Sequence, residues 1–526
     1  MSDSDAGLSS EAIAALAKLI GLPQDHDRFD AFSDAAKKCT VDAAALRLAP
    51  VDNSVAPLLT FHPPHPEVSG PVVFDVDSLP ASSRPAEPID LAFLSASELA
   101  ALVRDRSVSP VELTELYLER LDTVGRELNC VVNLTPKFAM AQARQAEAEA
   151  VKGEFRSAIH GVPWGAKDLL ATKAAPTTWG ATPYSEQVLD YDSAVVDRLE
   201  KSGAVLVAKL SMGSLAYGAN WFGGMTRNPW DTDTASGGSS AGPGAATAAG
   251  LVGFSLGTET HGSITSPSHT CGVTGLRPTF GRVSRYGAMA LAYSMDKIGP
   301  MCRSAADCAA VFASIAGQDD RDDVTVDAPF AWPCNRDVRS MRIGIVKSEY
   351  DAVEDPQASV DQDALVALKD LGATLGDVAL PDCPPGLLLT LWVEAATAFG
   401  DLARTPELDA LYADSSNWPH IMRAARTVSA VDYVRAQQLR RRLVHDFTKT
   451  MRNWDVIVCP GIGESSLTIS NLTGHPSLTL PAGFVDGMPR GMTLIGNYWD
   501  EARILAIGQA YQVVTDWHKR RPSIDA

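Results

Sequence analysis

The chain has 526 residues, 45% hydrophobic and 21% charged, enough for a large core with appended segments. Its formal net charge is -19, and it shows no Lys/Arg run that would track a phosphate backbone. Nucleic acid and anionic membrane are therefore excluded as expected partners.

The opening residues, MSDSDAGLSS, lack the basic and apolar regions of a signal peptide. No apolar run reaches the ~20 residues of a membrane span, so a cytoplasmic location is expected. In SSEAIAALAKLIGLP, Ile13, Leu16, Leu19 and Ile20 stand at helical spacing, with Gly21 as the C′ stop and Pro23 beyond it. Phe29, Phe32, Ala36, Val41 and Leu46 predict a second helix, making residues 1–49 a helical hairpin. Residues 50–89 turn to Pro, Ser and Val without a period, the composition of an extended linker that wraps the main body.

Residues 90–526 form the main domain. It opens on two helix starts, Ser95 with Glu98 and Ser109 with Glu112, the second with Pro110 at N1. The β-branched runs GAVLVAKL (203–210), RIGIV (342–346) and DVIVCP (455–460) suit buried strands, giving an α/β core. An acidic stretch, Gln318 to Pro333, reads as a solvated loop. The eight cysteines form no CxxC pair and join no histidine cluster, so free buried thiols and no metal are expected.

The window Gly237 to Ser263 is rich in Gly, Ser, Thr and Ala, a composition that builds close backbone approaches and anion-binding N–H groups, or simply a loop. Gly238-Ser239-Ser240-Ala241-Gly242 matches the G-x-S-x-G elbow with Ser240 as nucleophile, and His475 or His518 as nominal late partners. The preceding RNPWDTDTASG, however, is a polar turn and not the apolar strand an elbow follows. In GTETHGSITSP, Glu259, His261 and Ser263 have the residue types of a hydrolase triad. Residues two apart on an extended chain stand ~6.5 to 7 Å apart with parallel side chains, which opposes a relay at hydrogen-bond contact. Another base is Lys167 in HGVPWGAKDLLATK. Lowering a lysine from ~10.4 to roughly 7 to 8 takes about 4 kcal/mol of burial or cationic neighbours. The alternative is a lysine paired with a carboxylate, Asp168 being adjacent.

HGVPWGAKDLL, TRNPWDTDTASGGSSAGPGAATAAG, GTETHGSITSPSHTCGVTGLRPTFGRVSRYG and NLTGHPSLTLPAGF with GMTLIG resemble, in order and spacing, the amidase signature family, from about Leu91 to about Arg520. The resemblance implies an α/β fold with a central mixed β-sheet flanked by helices and a Ser–cis-Ser–Lys triad. Lys167 falls on the base, Ser239 on the bridging cis serine and Ser263 on the nucleophile. Backbone N–H groups of Thr260, His261, Gly262 and Ser263 fall on the oxyanion hole. No metal or organic cofactor is called for. His261 departs from the usual glycine, Glu259 from the frequent aspartate and SSAGPG from SSGGS; a structural role is expected for Glu259.

The function implied is hydrolysis of a linear carboxamide, aryl amide or carbamate to acid and amine or ammonia. The pocket is expected from Met212, Trp221, Phe222 and the stretch between Trp392 and Tyr433. Expected partners are a small-molecule amide or carbamate and, at most, a second copy as a homodimer, with no nucleic acid and no membrane. Three alternatives stand: an A-type amidotransferase component that acts on charged tRNA with partner subunits, a catalytically inactive scaffold or binding module, and an α/β-hydrolase esterase using Ser240. The N-terminal hairpin resembles GatC-like subunits, fused in cis.

Overall fold

The computed structural model describes residues 8–20, 22, 29–52, 54–66, 69–334, 336–412 and 418–524. The helix stop expected at Gly21 and Pro23 lies outside them. Helix α1 (Ser10–Leu19) begins where the Ser9 hydroxyl accepts the Ala12 N–H, and it buries Ile13 and Ala17 while Leu19 stays exposed. In α2 (Phe29–Leu48), Phe32, Ala36, Cys39, Ala43 and Leu46 share the buried stripe. Val41 lies two residues from both Cys39 and Ala43, so the helical period turns it to the opposite face, where it is exposed.

The arm that follows runs along a later helix and then adds residues Val72–Phe74 in parallel to Phe330–Trp332. The acidic stretch is therefore only partly the solvated loop that its composition predicts. Phe330 and Trp332 are buried under the arm, and Arg285 holds Asp322 at 2.8 Å. Apolar contact at one end of the stretch outweighs its charge.

The two predicted helix starts behave differently. Before α3 (Ala96–Arg104), Ser95 and Glu98 form the reciprocal capping box. Before α4 (Pro110–Asp122), Ser109 accepts the Val111 N–H, while Glu112 is drawn outward to Arg84 of the arm. A neighbour distant in sequence thus removes the second half of that box.

Eleven strands make one mixed sheet: β1 (Val131–Leu134), β2 (Pro163–Lys167), β3 (Val205–Leu210), β4 (Phe254–Glu259), β5 (Thr274–Arg277), β6 (Lys297–Cys302), β7 (Arg342–Ile345), β8 (Thr374–Asp377), β9 (Val456–Pro460), β10 (Ser477–Val485) and β11 (Met488–Gly496). Their spatial order is β8-β7-β9-β11-β10-β5-β6-β4-β2-β3-β1. Strands β3, β2 and β4 are adjacent, parallel and fully buried, which the apolar run of β3 announces and the small and polar residues of β2 and β4 do not. Because β2 and β4 point the same way, Lys167 and Thr258 arrive together at the carboxyl ends of neighbouring strands, where open α/β sheets place their sites. Helix α5 (Ala241–Ala248) starts just after Ser240, and α6 (Thr265–Cys271) just after Ser263.

Late in the chain, α7 (Trp418–Ala425) and α8 (Ala430–Met451) receive α2. Arg47 of α2 bonds both carboxylate oxygens of Asp432, at 2.7 and 2.6 Å, and the arm is tied to α8 by Arg435 on Ala49, Arg442 on Pro50 and Gln438 on Val55. Asp432 is buried, and its N–H closes on Ser429, the N-cap of α8. Urea unfolding should therefore show Asp432→Ala destabilising by about 1–2 kcal/mol through the lost cap network. Arg47→Ala should cost under about 1 kcal/mol, because the guanidinium is largely exposed and screened.

Candidate active site

Lys167 ends β2 wholly buried. Its Nζ lies 2.9 Å from Ser239 Oγ, 3.0 Å from Ser240 Oγ and 2.9 Å from Thr258 Oγ1, and among the described residues no carboxylate is in contact with it. Burial lowers the amine to about 7, against the weaker pull of Asp296 and Glu259 in the opposite direction. Asp168, the sequence neighbour, is not its partner: successive strand residues face opposite ways. Asp168 instead accepts from Thr178 and pairs with the buried Lys209 at 3.1 Å.

The peptide bond from Gly238 to Ser239 is cis. Glycine is required at 238 by a close approach, since a Cβ there would stand 2.0 Å from the Gly218 carbonyl oxygen. The Ser239 carbonyl accepts the Gly213 N–H at 3.1 Å. Ser240, the elbow serine of the esterase alternative, is fully buried. Its hydroxyl is held by Lys167 on one side and by the N–H and carbonyl of Thr258 on the other, both at 3.1 Å. It bridges β4 to the serine loop and faces no opening. Sequence reasoning gave neither Ser240 nor Thr258 a place beside the lysine, yet both are its direct neighbours. The legible signal for Thr258 is strand alternation, which sets it on the same face as Thr260.

After β4 the chain turns through Thr260, His261, Gly262 and Ser263. Gly262 has φ +88, a left-handed conformation that favours glycine. Among the described residues, the N–H groups of His261, Gly262 and Ser263 have no protein acceptor. Successive free N–H groups of this kind can receive an oxyanion. Ser263 is 8% exposed, and its carbonyl accepts from Ser240 N–H at 3.1 Å. Thr260 anchors the turn through Asp296 at 2.5 Å, and His261 Nε2 meets Thr468 at 3.0 Å.

Glu259 is turned away from His261. Its Oε2 accepts the N–H groups of Ile264 and Thr265 at the start of α6, both at 2.8 Å. Its Oε1 receives Arg277 at 2.6 Å and Asn471 at 2.9 Å. Burial alone would raise this carboxyl, but Arg277 and the Thr265 N–H more than offset it and hold the group well below the usual carboxylate range. Glu259 braces the turn, and no Glu–His–Ser relay forms.

Beside Thr258 and Thr260 lies a cavity of about 180 Å³, walled by Leu169, Ala216, Met289, Leu291 and Asp296 among others. Ala216 and Leu215 carry positive φ values of 64 and 47, and this strained segment is held by Leu215 N–H on the Trp179 carbonyl and Trp418 Nε1 on the Leu215 carbonyl, both at 3.0 Å. Met212, Trp221 and Phe222 are not in the cavity wall. Met212 is core, and Trp221 packs edge-on against the half-exposed Phe222 at 4.8 Å. No group of His, Cys, Asp and Glu among the described residues could hold a metal, and all eight cysteines are free.

A family model described as Amidase matches residues 112–505. The chain belongs to the amidase family. The A component of glutamyl-tRNA(Gln) amidotransferase from Coxiella burnetii (strain RSA 493 / Nine Mile phase I) is 34% identical to this amidase-family chain over 81% of its length and 99% of the relative's. That of Methylococcus capsulatus is 36% identical over 81% and 98%. Native peptide amidase from Stenotrophomonas maltophilia superposes with a TM-score of 0.74 at 28% identity, covering 84% of this chain and all of that one. A bacterial aryl acylamidase of the amidase signature family shares the fold, with a TM-score of 0.72 at 24% identity over 82% of this chain and 98% of that one.

These relatives correct one expectation. A small-molecule substrate with no nucleic acid does not stand beside curated relatives named for a tRNA-dependent amidotransferase. Net charge misleads here, because an overall -19 says nothing of how charges are distributed on individual faces. Among the described residues no helix is long and apolar enough to cross a membrane.

The carboxylate that braces the amidase turn is open to a direct test. Glu259→Ala leaves Arg277 buried without its carboxylate and should destabilise by about 3–5 kcal/mol in denaturant unfolding.

Proposed function

We propose that this chain is the amide-cleaving, A-type component of an amidotransferase, with Ser263 as nucleophile, Ser239 as proton relay and Lys167 as base. It would release ammonia from a carboxamide for use on a charged tRNA together with partner subunits. The observation that carries the reading is Lys167, buried among hydroxyls without a carboxylate and lowered to about 7. The near-complete cover of the amidotransferase relatives supports the choice of donor and acceptor.

In the proposed reaction the neutral Lys167 amine takes the Ser239 proton as Ser239 takes that of Ser263. The Ser263 oxygen attacks the amide carbon, and the carbonyl electron pair moves to oxygen, facing the N–H groups of Thr260, His261, Gly262 and Ser263. Collapse of this intermediate breaks the C–N bond. The relay returns the proton to nitrogen, which leaves as ammonia. Water then attacks the acyl-serine by the same proton path and releases the acid. On this reading α1 and α2 act as a GatC-like partner fused in cis. The packing of α2 on α7 and α8 supports that, as does a family match that starts only at residue 112.

Ammonia release from glutamine by the purified chain, with and without charged tRNA and partner subunits, tests the reading. Lys167→Ala and Ser263→Ala should each lose on the order of 10³-fold or more in kcat/KM with the fold intact. Retained turnover in either variant overturns the triad, while amide hydrolysis that no partner or tRNA influences overturns the amidotransferase role and leaves a free-standing amidase. The base works only when neutral, so kcat/KM should rise with pH through about 7 along a one-proton limb and fall away below it.

A further inference from the structure

On α8 and just beyond its end, Arg441, His445, Lys449 and Arg452 follow at intervals of four, four and three residues. That spacing places all four on one face, about one per turn. All are exposed, and with Pro64 of the arm they line a groove of about 610 Å³. Like charges one turn apart disfavour a helix unless something compensates them. The carbonyl end of α8 favours Lys449 and Arg452, but side-chain partners are few. Among the described residues Lys449 and Arg452 join no ion pair, and Arg441 has only its Nε on the Ala56 carbonyl. Asp446, the carboxylate closest in sequence, faces His445 Nδ1 at 3.4 Å.

The chain's other cationic run is compensated internally. Lys519 pairs with Asp516 at 2.7 Å and Arg521 with Asp90 at 2.6 Å, while Arg520 lies over the rings of Phe484 and Trp517. The α8 row differs in being linear and in holding Lys449 and Arg452 outside any ion pair among the described residues, in a chain of net charge -19.

We propose that the groove between the arm and α8 seats the phosphodiester backbone of an RNA, with Lys449 and Arg452 each neutralising a phosphate. This rests on the reading of the chain as a subunit that works with charged tRNA, and it names the surface. A concave row of single cations suits a linear polyanion. An anionic membrane calls for a broad basic face with apolar side chains to insert, which a single row along one helix does not provide.

The test is fluorescence anisotropy of labelled, unfractionated bacterial tRNA with the full chain across a salt series. Ammonia release from glutamine and thermal unfolding are read on the same samples. The double variant Lys449→Gln/Arg452→Gln should bind at least about tenfold more weakly at low salt. Its log–log salt slope should be shallower by between about 1.4 and 1.8, two phosphates on single-stranded or duplex RNA. Lys37→Gln/Lys38→Gln on α2 removes the same charge elsewhere and should leave binding within about twofold of wild type. Absence of saturable tRNA binding by the wild type, or an unchanged slope in the Lys449/Arg452 variant, overturns the proposal. Capture by phosphatidylserine vesicles through these residues, with tRNA ignored, overturns it in favour of a membrane. Slope loss in a chain that releases no ammonia even with partner subunits upholds the groove and removes the amidotransferase reading. Ammonia release without tRNA binding removes the groove and leaves the amide-cleaving triad standing.

Discussion

A lysine amine placed in the interior with hydroxyls and no carboxylate is the constraint on which the rest of the site depends. Burial withholds the solvent that would favour its charge, and Ser239, Ser240 and Thr258 satisfy its hydrogen-bonding capacity without supplying a counter-charge. The amine is thereby poised near neutrality. Had Asp168 turned inward, the pair would have been a buried salt bridge and the lysine a fixed cation. Strand alternation prevents this, and Lys209 takes up the carboxylate on the other face.

Around that amine the surroundings are arranged to keep distances and not to add charge. Thr258 brings the end of β4 to the end of β2, Ser240 closes the gap to the serine loop, and Gly238 permits the loop to pass under the Gly218 carbonyl. Glu259 does the equivalent work for the turn that follows, tying the first N–H groups of α6 to Arg277 and Asn471. Among the described residues the N–H groups of His261, Gly262 and Ser263 in that turn keep no protein acceptor.

Much of this was legible along the chain. Apolar runs marked strands β3, β7 and β9, and Ser95 with Glu98 marked the start of α3, since capping is a local matter of a few residues. Ordered motifs carried the family. The failures have a common cause in distance. Glu112 left its cap for Arg84, and the end of the acidic stretch became a buried strand because Val72–Phe74 came to lie beside it. Neither partner is visible from the segment itself. The exposed cations of α8 are a feature of another sort. Arg441 stands within the run Arg440–Arg442, but His445, Lys449 and Arg452 are spaced among other residues, and a helical period is needed to gather the four on one side.

By itself the sequence determined the α/β architecture, the Gly- and Ser-rich turn, and the exclusion of a Glu–His–Ser relay along one strand, all consequences of periodicity and short-range geometry. Only the tertiary structure decided that Lys167 has no carboxylate, that Ser240 is a buried bridge, and that Glu259 answers to Arg277. Each depends on which residues the sheet and its helices bring together from far apart. Burial and pairing set both the protonation of an amine and the fate of a carboxylate, and neither exists until the chain has folded.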